Sequence, residues 1–186
     1  MNNILYINAT VRDNSRTDEL AKCLLSKLDG NIKELKLEDL DLKPLNKERL
    51  LDKENKIHNG NLSNDIFKYS HEFANADIIV ISSPYWDYSI PALLKIYIEN
   101  ISVHGITFDY TEDGQPIGLC KAKKVYFITT AGSYYLPDYS YDYIKRLFSE
   151  LYGIKEFELI YAEYLDFKGN NPQEIINKCK KDIMGD

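Results

Sequence analysis

The chain has 186 residues, 44% of them apolar, and a formal net charge of −6. That suffices for one domain, 1–186, with a full core. An acidic balance without a basic run argues against a nucleic-acid partner, since phosphate neutralisation needs clustered Lys and Arg.

Asn3 to Ile7 reads as a short apolar strand, followed by a polar loop, Asn8 to Arg16. A helix then runs to about Leu28, with Leu20, Cys23, Leu24 and Leu28 on one face. Ser15 and Asp18 stand at capping-box spacing, with Asp in place of the usual Glu or Gln. Asn31 to Leu37 alternates polar and apolar, as a strand near the sheet edge does. Glu38 to Asn64 is charged and reads as a surface excursion with a helical turn near Lys47 to Leu51. Asp65 to Phe73 is expected to be helical.

Ile78 to Ile81 is a continuous β-branched run, the pattern of a strand buried on both faces. It leads through Ser82, Ser83 and Pro84 into Tyr85, Trp86, Asp87 and Tyr88, then Ser89, Ile90 and Pro91. A helix follows, with Pro91 in its first turn and Leu93, Leu94, Tyr97, Ile98 and Ile101 at helical spacing. Gly105 to Lys124 contains turn chemistry at Glu112, Asp113, Gly114 and Pro116. Lys124 to Thr130 is a fourth strand, ending in a second tyrosine-rich loop, Ala131 to Tyr143. Tyr143 to Leu151 reads as helix, Glu156 to Leu165 as a fifth strand and Asp166 to Asn170 as a turn. A last helix starts at Pro172, capped by Asn171, and runs to about Met184.

Strands alternating with helices imply an α/β fold, a doubly wound parallel sheet with helices on both faces. Five strands most simply take the order 2-1-3-4-5, which is flavodoxin-like. The loops after strands one, three and four then lie side by side at the switch point. The first offers Thr10, Arg12, Ser15, Arg16 and Thr17 at a helix start, the makings of an anion site; the plainer account is that Ser15 only caps the helix. The other two offer flat aromatic surface and Gly132, where backbone can approach a ligand closely. These aromatics could instead pack a corner or an interface. A phosphate site beside a planar-ring site describes flavin mononucleotide (FMN). No G-x-G-x-x-G or G-x-x-x-x-G-K-[ST] fingerprint stands after the first strand. Cys23, Cys120 and Cys179 are far apart and odd in number, as reduced cytosolic thiols would be, and no metal-ligand spacing occurs. No apolar segment nears the roughly 18 residues of a membrane span, and no signal peptide is evident, so a cytoplasmic protein is expected.

Four segments together resemble the FMN-dependent NAD(P)H oxidoreductases of the azoreductase and quinone reductase family. Thr10-Val11-Arg12 with Ser15-Arg16-Thr17 resembles its S-P-R and S-x-S phosphate loop. Pro84-Tyr85-Trp86-Asp87-Tyr88 followed by Ile90-Pro91 is similar to P-M-Y-N-F and I-P. Gly105, Thr107, Phe108, Tyr110, Thr111 and Gly114 match G-x-T-F-x-Y-T-x-x-G, the most specific motif. Thr130-Ala131-Gly132-Ser133 stands where much of the family has S-R-G-G. Asp87 for Asn, and Ala131 and Ser133 for Arg and Gly, are departures. The resemblance implies that all three loops bind FMN, including Thr130, Ala131, Gly132 and Ser133. It implies a planar acceptor (quinone, azo compound or nitroaromatic) bounded by Tyr88, Phe108, Tyr110 and Tyr134, and a homodimer with the substrate pocket between its subunits. NADH or NADPH would donate in a ping-pong cycle, with no protein acid or base required. The alternative from another class is a flavodoxin-type electron carrier serving protein partners.

Overall fold

The structure is a computed structural model and describes residues 1–185. In chain order the elements are β1 (Asn2–Asn8), α1 (Arg16–Lys27), β2 (Gly30–Lys36), α2 (Lys47–His58), α3 (Lys68–Asn75), β3 (Ile78–Ser82), α4 (Ala92–Ile101), β4 (Phe108–Tyr110), β5 (Pro116–Gly118), β6 (Lys124–Thr130), α5 (Tyr141–Glu150), β7 (Glu156–Ala162) and α6 (Pro172–Met184). The main sheet has the order β2-β1-β3-β6-β7, and every pairing in it is parallel. This is the expected 2-1-3-4-5 topology.

Strand alternation divides the core between the two faces. Leu5, Ile7, Ile79, Ile81, Val125 and Phe127 point to one side, where Phe73, Leu94, Ile98 and Phe148 of α3, α4 and α5 cover them. Ile4, Tyr6, Val80 and Ile128 point to the other, against Leu20, Leu24 and Ile176 of α1 and α6. Both faces of the central strands are therefore apolar, which is why Ile78 to Ile81 shows no polar alternation.

Some elements differ from expectation. The turn near Lys47 is a complete helix, α2. None of its residues is buried, so it carries no strong apolar stripe for the sequence to reveal. Asn46 caps it, accepting from the Arg49 N–H at 2.9 Å. A 3₁₀ turn, Asp65–Phe67, precedes α3, and Pro91 caps α4 instead of entering it. The final strand stops at Ala162 because Tyr164 adopts φ 59°, which ends extended backbone.

Gly105 to Gly118 forms an antiparallel hairpin of β4 and β5 outside the main sheet. Its motif is mostly structural. Gly105 turns at φ 81° and donates its N–H to the Phe108 carbonyl at 2.8 Å. Thr107 is buried, its hydroxyl oxygen accepting from the Val103 N–H at 3.0 Å. Thr111 and Gly114 close the hairpin turn, and Gly114 takes φ 80°.

Candidate functional site

At the carboxyl edge of the sheet, the loops after β1, β3 and β6 meet. Thr17 and Thr130 join the first and third through hydroxyls 2.7 Å apart. The Tyr85 N–H joins the second to the third, donating to the Thr130 carbonyl at 3.2 Å. Between them lies a cavity of about 320 Å³ lined by Thr10, Arg12, Ser15, Arg16, Thr17, Pro84, Tyr85, Trp86, Thr130, Ala131 and Gly132. These expected cofactor residues are thus brought together. Asp87, Tyr88 and Ser133 do not line the cavity. Larger grooves of about 530 and 560 Å³ lie over α2 and beside α6, away from these loops.

The start of α1 presents N–H donors and arginines to the cavity. Ser15 caps the helix by accepting from the Asp18 N–H at 3.3 Å. The N–H groups of Arg16 and Thr17 have no backbone partner among the described residues, as expected in a first helical turn. Arg12 makes no salt bridge among them, whereas Arg16 pairs with Asp166 at 3.2 Å. Thr10 contributes differently from expectation. It is buried, and its hydroxyl donates inward to Asn8 Oδ1 at 2.8 Å. Its hydrogen is therefore already engaged, and Thr10 shapes the loop.

The aromatic loop is a two-residue reverse turn. Trp86 and Ser89 exchange backbone hydrogen bonds of 3.2 and 2.8 Å around Asp87 and Tyr88, which have φ of 50° and 63°. Positive φ at both central positions is the type I′ geometry that favours Asn or Asp first and Gly second. Asp87 in place of Asn is therefore a conservative change for the backbone. Tyr88 is the unusual residue, since a bulky side chain at positive φ is strained. Its ring stands at the rim, with its hydroxyl 3.0 Å from that of Tyr134. The Asp87 and Tyr88 N–H groups point to no acceptor among the described residues.

The third loop is zipped to the segment after β7. Asp166 N–H donates to the Gly132 carbonyl at 2.9 Å, and Tyr164 N–H to that of Ser133 at 2.8 Å. A Cβ at Gly132 would lie 2.4 Å from Asp166 Oδ2, so this glycine makes room for Asp166. Asp166 itself also lines the cavity and was not among the expected residues. Only its position just beyond the fifth strand hinted at it.

Phe108 and Tyr110 lie elsewhere in the chain. They line two apolar hollows of about 400 and 360 Å³ that share Tyr143 and Leu147. Among the described residues no His, Cys, Asp and Glu cluster could hold a metal, and no helix is long and apolar enough to cross a membrane.

The family described as having a flavodoxin-like fold matches residues 2–184. An FMN-dependent NADH:quinone oxidoreductase of Coprothermobacter proteolyticus is 34% identical, the match covering 98% of this chain and 96% of that relative. One from Clostridium beijerinckii is 35% identical over 96% and 94% of the two chains. The chain belongs to the FMN-dependent NADH:quinone oxidoreductase family. The family's fold extends to a solved FMN-dependent NADH-azoreductase from Bacillus anthracis str. Ames Ancestor, in complex with FMN. That structure matches with a TM-score of 0.83 at 26% identity, covering 100% of this chain and 97% of the other.

Proposed function

We propose that this protein is an FMN-dependent oxidoreductase that passes two electrons from NADH or NADPH to quinones, azo compounds or nitroaromatics. The observation that carries this reading is the pairing of free helix N–H groups and Arg12 with an aromatic turn across one cavity. That donor set suits a phosphate monoester beside a planar ring. Bound FMN supplies the group that accepts hydride and returns electrons. The Arg16 and Thr17 N–H groups and Arg12 hold the phosphate. The Asp87 and Tyr88 N–H groups, which have no backbone acceptor among the described residues, would serve as donors to the edge of the ring. Tyr88 and Tyr134 offer one aromatic rim, which donor and acceptor occupy in turn, a ping-pong order. A cytoplasmic setting fits the free thiols of Cys23, Cys120 and Cys179.

The test is whether purified protein is yellow, releases FMN on denaturation and oxidises NADH steadily with menadione. Bound FMN without turnover would favour the electron carrier. Arg12→Ala should weaken FMN binding by about 1.5–3 kcal/mol, the range for a charge-assisted hydrogen bond. An unchanged affinity in a titration of the apoprotein would remove Arg12 from the phosphate site.

The same reading includes a homodimer. Tyr110 is 49% exposed and borders an apolar hollow with Tyr143, Leu147 and Leu151. A second copy covering this face would bring Phe108 and Tyr110 to a shared substrate pocket. Light scattering should give about twice the chain mass. A monomer with full turnover on dilution would rule out a pocket completed by the partner.

A further inference from the structure

Asn8 ends β1, is 2% exposed and makes hydrogen bonds in every direction its amide allows. Its Oδ1 accepts from the Thr10 N–H at 3.0 Å and the Thr10 hydroxyl at 2.8 Å. Ser82 Oγ lies 3.1 Å from the same oxygen and 2.9 Å from the Tyr6 hydroxyl, with one hydrogen to give between them. On the other side, Asn8 Nδ2 donates to Glu34 Oε1 at 2.8 Å and Asp18 Oδ1 at 3.3 Å. Two carboxylates on one side and an N–H on the other permit only this orientation of the amide. Tyr6 fixes Asp18 further, donating its hydroxyl at 2.5 Å. Burial, and next the bond to Asp18, raise the Tyr6 pKa, so that hydroxyl stays a donor.

Thr10 opens the phosphate loop, and Asp18 lies in the first turn of α1 that closes it. One side chain therefore grips both ends of the loop. We infer that Asn8 is a positioning residue that holds the Thr10–Thr17 loop in its phosphate-binding form and so sets the preference for FMN over riboflavin. This rests on the flavin reading above. Asn8 does not line the cavity; it acts through Thr10 and Asp18.

FMN and riboflavin share a ring and differ in the phosphate, so their affinity ratio separates positioning of this loop from general weakening of the fold. Both ligands are titrated into apoprotein of the wild type, Asn8→Ala and Asn8→Ser, with thermal melts confirming folded protein. Asn8→Ala should lower the FMN-to-riboflavin ratio by about 10-fold or more, as loss of a buried hydrogen-bonding anchor does, with riboflavin affinity little changed. Asn8→Ser should recover part of the ratio, because a serine hydroxyl can accept from an N–H two residues on, though more weakly. If Asn8→Ala fails to fold, a lowered ratio in Asn8→Ser supports the inference. A wild-type ratio in folded Asn8→Ala, or in Asn8→Ser where only that variant folds, or equal losses for both ligands, overturns it. A wild type that binds neither ligand overturns the flavin reading itself, and the inference with it.

Discussion

Gly118→Ala should destabilise the protein by about 3 kcal/mol, the upper part of the usual range for overpacking. A Cβ at Gly118 would lie 2.2 Å from the Gly153 nitrogen and 2.2 Å from the Tyr152 carbonyl carbon. These are backbone atoms of the turn between α5 and β7, and they have little freedom to yield. Gly153 is at φ 80°, and its own added Cβ would meet Gly118 Cα at 3.1 Å. The β4–β5 hairpin is thus seated on the main domain by two glycines in close contact. Urea unfolding measures the loss. A second effect should appear under native conditions, where limited proteolysis should cut the variant near Glu112 to Gln115 faster than wild type. Wild-type stability and cleavage would mean that the hairpin can shift without cost.

Between pH 9 and 11 the protein should lose stability, by up to about 1.4 kcal/mol per pH unit for each deeply buried group that is passing its unfolded value, and by less for Cys179 and Tyr135, where solvent screens the effect. Burial raises Cys120 from 9.0 to about 12, Tyr135 from 10.0 to about 12 and Cys179 from 9.0 to about 11. Burial also raises Tyr6, Tyr97 and Tyr152. Each group ionises at lower pH in the unfolded chain than in the fold. Above the unfolded value, the native state binds more protons, so stability falls as pH rises toward the folded value. Lys53 opposes the trend. Burial lowers it from 10.5 to about 8, so its contribution grows with pH across that interval. The Tyr97 hydroxyl is buried without a hydrogen-bond partner among the described residues, so Tyr97→Phe should cost little at pH 7. At pH 11 the variant should be more stable than wild type. Urea unfolding at several pH values decides this: equal slopes for the two proteins would mean that Tyr97 does not titrate with unfolding.

Much of the sheet was legible in the sequence because its signals are local. The run Ile78 to Ile81 and the strand Lys124 to Thr130 are apolar on both faces, and Asn171-Pro172 is a compact start signal for α6. The switch-point rule then placed the three loops together. Helix α2 was hidden because it buries no residue. The hairpin strands are three residues each, too short for alternation to show. Within the site, residue type announced the hydroxyls but not their direction: Thr10 gives its hydrogen to Asn8. Nor does residue type reveal that Tyr88 sits at positive φ, a conformation enforced by the Trp86–Ser89 pairing.

The hydroxyl bond between Thr17 and Thr130 spans 113 residues of sequence. During synthesis the amino-terminal segment, with the loop proposed to hold the phosphate, therefore emerges long before the far wall of the cavity exists. Parallel pairing of β1 with β3 and of β3 with β6 must close first, and such non-local contacts form slowly. The cofactor then meets a finished sheet and acts by mass action on the native state alone. At a free concentration 100 times its dissociation constant, it would deepen the native basin by about 2.7 kcal/mol. Cofactor supply thereby becomes a determinant of how long the chain survives proteolysis in the cell.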